Sequence, residues 1–162
     1  LSTITDRLRR RGNRALTRIA VLLAAAMVTV FALPSSAMAE ADFFQDCQFD
    51  NVICTFGTRA AAPQGLQCAT TSAHTGATRV CIDYATDSVY VRDGDADGYG
   101  AVARVWSDNG VAWRYCANNQ GEGWWVKCDF DWVEAGSHDV VGGYIINWST
   151  KQTVGMWSWS GK

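Results

Sequence analysis

Residues 111–133 read VAWRYCANNQGEGWWVKCDFDWV. Both arms of this stretch are crowded with β-branched and aromatic residues, and Gln120-Gly121-Glu122-Gly123 interrupts them. That is the composition of two strands around a turn. Cys116 and Cys128 lie symmetrically about Glu122. A hairpin folding there sets the two cysteines opposite each other, with glycine for a positive-φ loop position. Opposed cysteines of an antiparallel pair can be bridged. The stretch predicts a disulfide-stapled β-domain.

The same grammar extends in both directions. In SVYVRD (88–93), Val89 and Val91 share one face and Tyr90 takes the other. In YGAVARVW (99–106), Val102 and Arg104 alternate with Ala103 and Val105. TRVCIDY (78–84) and YIINWS (144–149) are equally strand-like. Breaks fall at Ala62-Pro63-Gln64-Gly65, Asp93-Gly94, Ser107-Asp108-Asn109-Gly110, Ala135-Gly136 and Gly142-Gly143. About eight or nine short strands result, which is the pattern of a small antiparallel β-sandwich or barrel. No internal repeat or linker divides it, so residues 40–162 read as one domain.

Residues 1–39 read differently. Arg7, Arg9, Arg10, Arg11, Arg14 and Arg18 precede an uncharged run from Ile19 to Leu33, then Pro34-Ser35-Ser36 and Ala37-Met38-Ala39. A basic start, an apolar middle and a small-x-small end make a cleavable, helical signal peptide, cut after Ala39. The apolar run is too short for a membrane anchor and stops at a proline. Leu1 in place of Met reads as a non-AUG start translated literally, and the Ala- and Arg-rich leader suits a GC-rich bacterium. The expected location is therefore extracellular.

Removing the leader changes the charge. It holds six of the 14 Lys+Arg and one of the 16 Asp+Glu, leaving 8 basic against 15 acidic residues. An acidic domain of this kind is a poor nucleic-acid binder, which would need a basic face. All six cysteines lie after the leader, and an even count in an exported chain predicts disulfides. Zinc would call for close C-x-x-C pairs, and none occurs. Cys68 and Cys81 flank His74-Thr75 and Gly76 as Cys116 and Cys128 flank their turn. Cys47–Cys54 follows by elimination.

Candidate chemistry is sparse. Asp93-Gly94-Asp95-Ala96-Asp97-Gly98 is the front half of a calcium loop, with three carboxylates on alternating residues and a glycine for the turn. The closing acid of such a loop is replaced by Arg104. Calcium at Asp93, Asp95 and Asp97 stands beside the plainer reading of an acidic β-turn. Asp129 and Asp131, with Glu134 beyond, offer carboxylates for a glycosidase-like hydrolase, or simply a solvated strand face. Ser137, His138 and Asp139 are triad residue types, but strand neighbours face opposite ways and cannot form a relay. No catalytic constellation is complete, and the chain reads more as a binder than as an enzyme.

Tryptophan is the compositional anomaly, with eight residues after the leader. Some must build the core. A surplus on the surface would stack against sugar rings, and Trp124, Trp125, Trp157 and Trp159 are the candidates, with Trp113, Arg114 and Tyr115 beside them. The expected partner is an extracellular polysaccharide or cell-envelope glycan.

Two resemblances follow from these residues. VYVRDGDADGYGAVARVW and YCANNQGEGWWVKCDFDWVEAG resemble a pattern in small secreted actinobacterial β-domain proteins, over roughly residues 80–136. That resemblance implies an exported β-domain and brings no catalytic residues. Its members commonly carry another cysteine pair downstream, whereas no cysteine follows Cys128 here. Trp113-Arg114-Tyr115 is similar to the triplet of the tendamistat family of secreted α-amylase inhibitors, which implies an inhibitor of a secreted enzyme as the alternative function. In that family the triplet occupies a hairpin. Here Cys116 follows directly, which points to mid-strand.

Overall fold

The computed structural model describes residues 45–147 and 150–162. The signal peptide expected over 1–39 and Trp148 lie outside the described residues. Ten strands run in order: β1 (Val52–Phe56), β2 (Thr58–Ala60), β3 (Gln67–Thr70), β4 (Arg79–Asp83), β5 (Ser88–Arg92), β6 (Gly100–Ser107), β7 (Trp113–Asn118), β8 (Trp125–Asp129), β9 (Ser137–Asn147) and β10 (Thr150–Ser160). Short 3-10 turns at Gln45–Gln48 and Ala73–Thr75 are the helical elements among the described residues. None is long and apolar enough to cross a membrane.

The strands form two five-stranded sheets, ordered β1-β7-β6-β9-β10 and β2-β8-β5-β4-β3. β1 runs parallel to β7, and every other pairing is antiparallel. Period-two alternation decides which residues meet between the layers. Val80, Ile82, Val89, Val91 and Val126 from one sheet join Ala101, Ala103, Val105 and Val140 from the other, all fully buried. Each such valine or isoleucine contributes roughly 1.5–3 kcal/mol by leaving water. Trp132 and Trp159 close one end of this core, their rings edge-on at 5.9 Å.

A second, smaller cluster lies on the opposite face of the first sheet. There Val102, Tyr115 and Ala117 pack with Val52, Phe56, Trp113 and the Cys47–Cys54 pair. β7 is consequently covered on both faces, which explains its nearly continuous burial.

Three disulfides pair Cys47 with Cys54, Cys68 with Cys81 and Cys116 with Cys128. Cys68 and Cys81 are register partners on β3 and β4. Cys116 and Cys128 do not oppose each other across a hairpin. β7 belongs to one sheet and β8 to the other, so this bridge spans the core and ties the layers together. Where the chain crosses between the layers, Asn118 turns its side chain into the interior. Its amide donates to Val91 O at 3.1 Å and Trp124 O at 2.8 Å, both on the second sheet's side. Gly121 and Gly123 supply the positive φ values (88° and 81°) that redirect the chain.

Candidate functional site

The predicted aromatic candidates separate by depth. Trp159 is buried and stacks on His138, with centroids 5.1 Å apart. Trp157 packs against the main core and donates from Nε1 to the Tyr84 hydroxyl at 2.9 Å. A register shift between Gly155 and Trp157 places both indoles opposite inward-facing Val140 and His138. They share a face, as alternation required, on which Trp159 is buried and Trp157 half-buried. Trp159 belongs to the core, and Trp157 packs against it while lining a shallow surface pocket.

The Trp113-Arg114-Tyr115 triplet is likewise interior strand. Arg114 and Tyr115 are 2% and 0% exposed. Arg114 donates to the carbonyls of Asp131 (2.7 Å) and Val111 (2.8 Å) and to Ser107 Oγ. The Tyr115 hydroxyl donates to Asp46 Oδ2 at 2.6 Å. Burial pushes the Asp46 carboxyl up, but hydrogen bonds from Lys151 and Tyr115 outweigh it and hold it below the usual carboxylate range. Trp113 is half-buried under Arg104, whose guanidinium lies 5.6 Å from the ring. Neither Arg114 nor Tyr115 is presented to a partner.

The acidic candidates take local roles. Asp93 is buried, and its Oδ1 accepts from Asp95 N, while Asp97 Oδ1 accepts from Tyr99 N at 2.8 Å. Burial pushes Asp93 above the usual range, and its neighbours Asp97, Glu122 and Asp95 add to this. Asp93, Asp95, Tyr99, Asn119 and Glu122 border a cleft of about 440 Å³, whose lining does not include Asp97. Asp129 accepts from Ser88 Oγ at 2.7 Å and pairs with Lys127, and Lys127 and Ser88 together hold its carboxyl low. Asp131 and Glu134 are exposed. Asp129 therefore stays ionised and paired, a poor state for a general acid.

Among the described residues Trp124 is exposed, and Trp125, like Trp106, Trp113 and Trp157, is half-buried. Trp124 is 49% exposed and carries the Arg59 guanidinium 3.7 Å above its ring. Trp125, its neighbour, turns to the outer face of the second sheet. There Arg79, Arg92 and Trp125 are successive register partners on β4, β5 and β8. At one strand spacing each, they form a row about 10 Å long. Arg79 lies 5.9 Å from the Trp125 ring, and Arg92 Nε donates to Gly123 O at 3.3 Å.

The chain between β2 and β3 covers this row. β2 and β3 are opposite edges of the same sheet, so residues 61–66 must cross three intervening strands. Four strand spacings are about 19 Å, and seven Cα steps reach about 23–25 Å when extended. Only a nearly straight strap fits. Ala62-Pro63-Gln64-Gly65-Leu66 suits it, since proline resists both helix and ladder pairing. Between strap and sheet lies a groove of about 350 Å³ lined by Arg79, Arg92, Trp125 and the Cys68–Cys81 bridge. Among the described lining residues none is acidic.

The chain matches no family model, no curated protein and no solved structure. Function must therefore be argued from geometry. The sequence singled out Trp125 as a candidate without its setting. Only the register of three strands brings Arg79, Arg92 and Trp125 together.

Proposed function

We propose that this chain is a secreted binding module for extracellular glycan, cut after Ala39 and acting through residues 40–162. Three disulfides support an oxidising compartment. The observation that carries the binding reading is Trp125 on the floor of the strapped groove, half-exposed at the end of a row that continues through Arg92 to Arg79. An indole offers a flat apolar face to the C–H side of a pyranose. The guanidiniums and the strap's backbone offer hydrogen-bond partners to hydroxyl groups.

The expected experiment is retention of the oxidised protein on a panel of insoluble and gelled polysaccharides. Trp125→Ala is expected to abolish retention, while Trp124→Ala, outside the groove, leaves it within twofold. Failure to bind any member of the panel, or equal losses in the two variants, overturns the proposal.

A further inference from the structure

The basic residues of the described structure are few, and most are already engaged. Arg104 pairs with Asp139, Lys127 with Asp129 and Lys151 with Asp46. Arg114 is buried against carbonyls, Arg59 lies on Trp124, and the Lys162 ammonium lies over Tyr84. Arg79 lies near the Trp125 ring and Arg92 donates to Gly123 O. Neither forms a carboxylate ion pair among the described residues, and both line the same groove. In a segment with 15 acidic residues against 8 basic ones, two neighbouring cations share a groove lining without an acid. Like charges directly opposite on paired strands repel, and Arg79 and Arg92 are direct register partners. An anion between them removes that repulsion.

We propose that the groove takes an anionic saccharide, a sugar unit bearing a carboxylate or phosphate. This rests on the glycan-binding reading and adds the charge of the ligand. The Arg79 and Arg92 guanidiniums hold the oxyanion, each able to donate two parallel hydrogen bonds. The Trp125 indole stacks against the ring that carries it. The Cys68–Cys81 bridge pins β3 to β4 beside Arg79 and so fixes the floor on which the guanidiniums stand. A bare polyanion fits less well. It has no ring for Trp125, and the acidic remainder of the domain repels a long charged chain.

The test compares polygalacturonate with its fully methyl-esterified form, which has the same backbone without the charge. A phosphodiester-linked sugar polymer, polyglutamate and single-stranded DNA complete the set. The expected result is at least tenfold tighter binding to polygalacturonate or to the phosphodiester polymer than to the ester. Arg79→Gln and Arg92→Gln are each expected to remove most of that preference, with thermal melting unchanged because both side chains reach solvent. Equal binding to acid and ester, with Trp125→Ala still abolishing both, overturns the anionic inference and leaves glycan binding standing. No binding to any sugar polymer overturns both. Binding to polyglutamate or DNA as tight as to the charged sugars overturns the saccharide assignment, since charge alone would then suffice.

Discussion

His138 is one of the largest fully buried side chains, 1% exposed between Trp132 and Trp159. Burial lowers its affinity for a proton, and Arg114 adds to this, while Asp108 and Asp87 oppose it. The folded state therefore favours neutral imidazole more than the unfolded chain does. Its contribution to stability is complete above the unfolded value near 6.5. It declines as pH falls below that value, until the folded group also titrates. His138→Phe keeps the stacked ring and removes the titration. Urea midpoints measured from pH 7.5 to pH 5 are expected to fall less in this variant than in the parent; parallel slopes would show that His138 is not the responsible group.

Asp46 works in the opposite sense. Its lowered carboxyl stabilises the fold above the ordinary carboxylate range, and that stability is lost as pH falls through the folded value. Asp46→Asn leaves the buried Tyr115 hydroxyl with a weaker acceptor and Lys151 without this partner's charge. A loss of about 1–2 kcal/mol is expected in denaturant unfolding at pH 7. An unchanged midpoint would mean that these contacts contribute nothing net.

At the scale of elements, alternation made most strands legible. Valines 80, 89, 91 and 126 fall on the inward face because each sits at a period-two position flanked by polar or bulky residues. What spacing could not reveal was which sheet a strand joins. The intervals Cys68–Cys81 and Cys116–Cys128 differ by one residue (13 and 12), yet one bridge lies within a sheet and the other between sheets. The bond from Asn118 Nδ2 to Val91 O joins the layers across 27 residues, beyond any local window. The difference has an energetic consequence. Loop closure alone predicts nearly equal stabilisation, about 3 kcal/mol each. Replacing Cys116 and Cys128 by alanine also empties sulfur from the middle of the core, so the double variant is expected to lose about 1–2 kcal/mol more than the Cys68/Cys81 double variant. Equal losses in urea would place the whole effect in the unfolded chain.

The proposed binding groove belongs to the molecule as a whole, which is why so little of it was legible. Trp125 stood out by composition, but its neighbours Arg79 and Arg92 come from other strands, and the strap comes from a connection between opposite sheet edges. Ala62-Pro63-Gln64-Gly65 read only as a break between strands. Its path is set by the strand order: an edge-to-edge crossing of about 19 Å leaves six residues almost no slack. Tautness and stability are separable here, because the strap contributes no rung to either sheet and lengthening a surface connection costs little in closure entropy. Inserting Gly-Ser between Gln64 and Gly65 is therefore expected to shift the melting temperature by less than about 2 °C. The same insertion slackens the roof over Trp125 and the two arginines, and retention on the charged glycan is expected to fall at least tenfold. Full retention would show that the sheet face binds without the strap, whereas a large melting shift would show that the strap holds the fold.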